Sequence, residues 1–172
     1  MKKTKEIISD KVAAVNQILP HTNKWAWDLF IDGAANNWMP TEISMAKDIE
    51  QWRGNSLTED EKLVIKRSLG FFAGSESLVA NNLLLSVFKF VTDPECRQYI
   101  LRQAYEESLH NLTVVYCCDS LGLDIEEVYE AYNSIPSIKA KDNFLMNICT
   151  DINRADFNIN TLEGKREFLR NL

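Results

Sequence analysis

From Thr58 to Val91 the chain has no proline, and apolar residues recur at helical spacing. A single helix over this run would be roughly 33 residues and about 50 Å long. A helix of that length does not fit a small compact globule. It needs partners of similar length and points to a long bundle. Its start is marked by Thr58-Glu59-Asp60-Glu61, a hydroxyl cap with a glutamate three positions on. Its end is marked by Thr92-Asp93-Pro94-Glu95, where Pro94 suits the first turn of a new helix. The second periodic run extends to about Leu121, and Gly122 fits its C-terminal stop. The short link near Asp93 makes the two long helices antiparallel neighbours, an αα-hairpin forming half of a four-helix bundle.

Shorter helices follow. Asp124 and Glu127 open one, Pro136 starts another that runs to about Asn153, and Asn160 with Glu163 caps a last one that the chain ends before completing. The first 55 residues are less regular, with short helices expected at 10–19 and 23–36 and all of Trp25, Trp27, Trp38 and Trp52. No strand pattern is present, so the fold class is all-α. The chain is expected to be one domain portion, with 1–55 packing on a helical bundle at 56–172.

Composition removes several functions. A net charge of −6 without a basic run argues against nucleic-acid binding. The longest apolar run, near Leu83-Leu84-Leu85, is too short to span a bilayer, and the charged start is no secretion signal, so a cytoplasmic protein is expected. Cys96, Cys117, Cys118 and Cys149 form no pair of CxxC motifs, which disfavours a zinc knuckle and fits free thiols in a reducing compartment.

The chemistry lies on the hairpin. Glu107 and His110 are three positions apart and share one helix face with Ala104, Val114, Cys118 and Leu121. An ionised carboxylate on an apolar stripe is costly unless something pairs with it, and a metal ion would use both side chains. Glu76 lies on a similar stripe with Phe72, Val79, Ala80 and Leu83, and an antiparallel hairpin brings it level with Glu107. One carboxylate from one helix and a Glu-x-x-His from its neighbour are half of a ferritin-like dimetal ligand set. Carboxylate and imidazole donors suit iron or manganese without choosing between them. Glu106 points about 100° away from Glu107 and is expected to be an exposed charge.

Four stretches, NNWMPTEISMAKDIEQW (36–52), LGFFAGSESLVANN (69–82), RQAYEESLHNLTVVY (102–116) and AYNSIPSIKAKDNF (131–144), give the chain a wider identity. In order and spacing the sequence resembles the small, radical-generating (beta) subunit of class I ribonucleotide reductase, and within it the chlamydial subgroup with a manganese–iron centre. The resemblance implies an incomplete ferritin-like bundle with Glu76, Glu107 and His110 as metal ligands of a dinuclear iron or manganese–iron centre. It implies Trp38 as an electron relay between that centre and the surface. It implies a large catalytic subunit as partner and a role in deoxyribonucleotide synthesis, with nucleotides bound by the large subunit.

Two departures shape the expectation. Val114 stands where most members carry tyrosine and the manganese–iron subgroup phenylalanine, and Tyr105 and Tyr116 lie on the opposite side of the helix, so the oxidising equivalent is expected on the metals. The chain also lacks the second Glu and the second Glu-x-x-His; its other histidine is His21. A second polypeptide, a missing remainder of the same protein, or a second copy about a two-fold axis would complete the set. Alternatives are a homodimeric ferritin-like oxidase or metal store, which Val114 favours, and an inactive remnant.

Overall fold

The computed structural model describes residues 6–11 and 15–172. Among these residues the regular structure is helical, with one isolated bridge between Ile8 and Val91 and no strand. Helix α1 spans Lys24–Ala35 and α2 Ala46–Arg53, with a 3₁₀ turn at Pro40–Glu42 between them. The long run becomes α3 (Glu59–Asn81), a wide π-helical turn (Asn82–Val87) and α4 (Phe88–Phe90), continuous in the chain. Then come α5 (Pro94–Leu121), α6 (Ile125–Tyr129), α7 (Ala131–Ser134), α8 (Pro136–Asp151) and α9 (Leu162–Arg170). Part of the helix expected at 10–19 lies outside the described residues; Asp10, Lys11 and 15–19 are not helical.

The termini follow their local chemistry. Thr58 accepts from the Glu61 N–H while the Glu61 carboxylate accepts from the Thr58 N–H, closing the reciprocal cap. Pro94 opens α5, Asp124 accepts from the N–H groups of Glu126 and Glu127, and Gly122 follows α5 with φ +69°. The last helix is capped one residue later than Asn160 predicts, by the Thr161 hydroxyl accepting from the Gly164 N–H. The helix Glu59–Phe90 reaches a mean hydropathy of 1.2 over eighteen residues and is long and apolar enough, by length and composition alone, to cross a bilayer. The sequence expectation counted only its most apolar stretch.

The chain divides into two compact units. The first comprises Met1–Asn37, Val79–Glu106 and Met146–Leu172. Its core includes Val87, Phe90, Ile100, Ile152 and Phe168, with Phe90 and Phe168 edge to face at 6.1 Å. At the start of α5, Asp93 accepts from the N–H groups of Glu95 and Cys96. The fully buried Glu95 carboxylate accepts from the N–H groups of Thr22 and Asn23 and from the Thr22 hydroxyl, and meets His21 Nδ1 at 2.8 Å. Burial pushes the Glu95 acid up, but these donors outweigh it and hold it at about 2. Glu106 is not a free surface charge: it pairs with Arg102 at 2.5 Å, and Arg102 also donates to the Gly33 carbonyl. Helical spacing gives the direction of a side chain but not the long cation one turn back that reaches it.

The second unit comprises Trp38–Leu78 and Glu107–Leu145. Its core joins Ala73 of α3 to Val114 and Cys118 of α5 and to Val128 of α6. Gly70 brings α3 close to the short helices: a Cβ there would sit 2.5 Å from that of Ala131 and 3.1 Å from the Val128 carbonyl. Gly74 makes room for Asp142 of α8, whose Oδ2 would be 3.1 Å from an added Cβ. Asp142 is 3% exposed and neither carboxylate oxygen has a hydrogen-bond partner among the described residues. Burial pushes its acid above the usual range. A raised carboxyl stabilises the fold fully below its unfolded value near 3.8, and this contribution is lost as pH rises through the folded value. Asp142→Asn is therefore expected to match the parent near pH 3.8 and to exceed its stability by about 1 kcal/mol at pH 7. Denaturant unfolding at the two pH values checks this.

Candidate metal centre

Three side chains converge inside the second unit. Glu76 comes from α3; Glu107 and His110 come from one face of α5. Their ligand atoms all lie within 4.8 Å of one another. His110 Nδ1 is 3.1 Å from Glu76 Oε2 and 3.0 Å from Glu107 Oε2. The carboxylates are held from the protein side, Glu107 being 9% and Glu76 17% exposed, whereas the imidazole is 43% exposed. Helical geometry accounts for the pair on α5: residues three apart are neighbours on the surface. Glu76 reaches the pair from the facing helix, where Ser77 and Asn111 also meet, at 3.4 Å.

The electrostatics are those of a place that wants a cation. Burial pushes the Glu107 acid up, the Glu76 carboxyl adds to this, and His110 opposes both. Burial alone would lower His110, but the two carboxylates outweigh it and raise it. Two acids and an imidazole around one point fit a divalent first-row cation by donor chemistry. Three donors leave most of the coordination positions of two ions to be filled from elsewhere.

Trp38 sits at the same place: its ring is 6.2 Å from that of His110, centre to centre, at 32°. A cavity of about 360 Å³ lies beside the cluster, lined by Trp38, Leu69, Phe72, Glu76, His110, Thr113 and Val114. All four residues singled out by sequence are thus together. Leu69 and Thr113 were missed because an apolar or hydroxyl residue in a helix carries no signal that distinguishes a cavity wall from core. Val114 is 4% exposed and packs with Ala73 and Cys118.

Comparison with known proteins extends the picture. The family model described as "Ribonucleotide reductase, small chain" matches residues 15–172. The chain is 49% identical over 168 residues to the ribonucleoside-diphosphate reductase subunit beta of Chlamydia pneumoniae, covering 98% of this chain and 49% of that one. It is 30% identical over 128 residues to the ribonucleoside-diphosphate reductase small chain of Neurospora crassa, covering 73% and 31%. Among solved structures, the ribonucleotide reductase R2 subunit from Clostridium botulinum superposes with a TM-score of 0.79 at 21% identity, over 99% of this chain and 53% of that one. The dimanganese(II)-NrdF of Streptococcus sanguinis does so with a TM-score of 0.64 at 19% identity, over 82% and 49%. The chain spans about half the length, or less, of these relatives.

Proposed function

Because the chain belongs to the ribonucleotide reductase small-chain family, we propose that it is the N-terminal part of a ribonucleoside-diphosphate reductase small subunit and supplies half of the ligands of a dimetal centre. The observation that carries this reading is the convergence of Glu76, Glu107 and His110 within 4.8 Å on the facing helices of a family member. When bound, a dinuclear iron or manganese–iron centre supplies a one-electron oxidant formed with dioxygen. The protein's own residues have simpler tasks. Glu76 and Glu107 neutralise the cations, and His110 adds a neutral donor on the exposed side. Trp38, beside His110, carries electrons between the site and the surface. The remaining ligands come from outside this chain, from a further stretch of the same protein, a second polypeptide or a second copy.

In this reading 1–172 is a portion of one ferritin-like domain. The assembled subunit works in the cytoplasm with a large catalytic subunit, which binds the nucleotides. A homodimeric ferritin-like oxidase or metal store is the second reading. Val114 favours it, because valine cannot store a side-chain radical where the family's aromatic residue stands. Native mass spectrometry of the chain from its own source, with metal analysis, tests the proposal. An assembly with two transition-metal ions per complete site is expected, and the partner's mass separates the two readings. A metal-free monomer would overturn both.

A further inference from the structure

The segment before α2 is fastened to α5 at two points. At one end the Trp38 ring lies against His110. At the other the Tyr116 hydroxyl donates to the Ile43 carbonyl at 2.8 Å. Residues between these points form a stiff piece. Pro40 is buried and opens the 3₁₀ turn. The Glu42 N–H donates to the Met39 carbonyl, the Ile43 N–H to the Pro40 carbonyl, and the Met39 N–H to the Glu42 carboxylate. With φ fixed at Pro40 and three internal bonds closing the turn, movement at Ile43 is passed on toward Trp38. His110 and Tyr116 are six residues apart on α5, about 9 Å along its axis. The strap therefore runs along the helix that carries two of the candidate ligands, and one of its two anchors is itself one of them.

We propose that Tyr116 is a positioning residue: its hydroxyl holds the 38–43 strap against α5 and so keeps the Trp38 ring on His110. The inference rests on the reading of Trp38 as the electron relay for its functional meaning, but not for its geometry. Electron transfer from an aromatic ring depends steeply on separation, so a lifted strap would lengthen the first step of the relay without touching a ligand. The Tyr116 ring itself stands on the side of α5 away from Glu107, which suits a tether and not a ligand. A single solvent-accessible hydrogen bond of this kind shifts the ratio of docked to lifted strap about fivefold.

The test uses the full chain labelled with 5-fluorotryptophan and read by fluorine NMR. The four tryptophans give four signals, and Trp38→Phe identifies the one in question. His110→Ala defines the signal of a Trp38 that has lost its neighbour. In Tyr116→Phe, which keeps the ring and removes only the donor, the Trp38 signal is expected to move toward the His110→Ala position while the other three stay. Mn(II) affinity of Tyr116→Phe is expected to remain within about twofold of the parent. An unmoved Trp38 signal would overturn the proposal. So would a shift of all four signals, which would make Tyr116 a general structural residue. The NMR readout needs neither metal nor partner, so failure here is distinct from failure of the dimetal reading.

Discussion

His110→Ala is expected to lower the affinity of the chain for Mn(II) by about a hundredfold or more, since changes at groups merely supporting a ligand already reach 10–100-fold. It should also weaken the metal-free fold. His110 Nδ1 lies between the Glu76 and Glu107 carboxylates, at 3.1 and 3.0 Å. Without it two acids, one of them buried, face each other with no cation. Removing one partner of a fully buried pair destabilises strongly; with the imidazole 43% exposed, screening reduces the expected loss to about 1–2 kcal/mol. The sign with pH is fixed by the raised imidazole. Its stabilisation is complete below the unfolded value near 6.5 and is lost as pH rises through the higher folded value. The gap between parent and variant in chelator should therefore be wide at pH 6 and narrow at pH 9. Calorimetric titration with Mn(II) and thermal unfolding in chelator read the two effects separately. An unchanged Mn(II) affinity would remove His110 from the ligand set.

The second large effect lies at the other end of the chain, where structure and propensity predict opposite signs. Gly164 is in the first turn of α9, a place where alanine is ordinarily the better helix former by about 1 kcal/mol. A Cβ there would lie 1.9 Å from the carbonyl oxygen of Asn158 and 2.7 Å from its carbon. Both are backbone atoms, so no side-chain rotation relieves the overlap. Gly164→Ala is expected to destabilise the protein by about 3 kcal/mol, at the upper end for overpacking, by pushing α9 off the loop before it. Phe168, fully buried one turn later, would leave the core with it. Denaturant unfolding followed by far-UV circular dichroism checks the sign, and a gain in stability would show that the Asn158 loop yields freely.

These two positions also mark how far the sequence could be read. The meeting of Glu76, Glu107 and His110 was legible because chemistry repeats on a short scale: a Glu-x-x-His on an apolar helix face puts two side chains together, and a hairpin brings the third. The helix ends at Thr58, Pro94, Gly122 and Asp124 were legible because caps act within four residues. Gly164 was not, since its close approach to Asn158 is made by a loop whose path no local pattern records. Asp142 was hidden for a related reason: a charged residue in a helix is assumed to face water, and only the packing of α8 on Gly74 shows that it does not. The tie from Tyr116 to Ile43 joins residues 73 positions apart through a main-chain oxygen, which every residue possesses.

The wide turn at Asn82–Val87 was the least visible feature, because a π turn is an α-helix holding one residue too many and its composition is that of any helix. It places a constraint of an unusual kind on this stretch of chain. Removing any one of its six residues would leave a smoother, better-bonded helix. The same deletion would turn everything beyond it by about 100° about the helix axis. Phe90 and Val91, each 5% exposed now, would swing away from Phe157 and Phe168. Substitutions here trade one side chain for another and leave that rotation alone. A missing codon does not, so what this stretch must keep is its count of residues more than their identity.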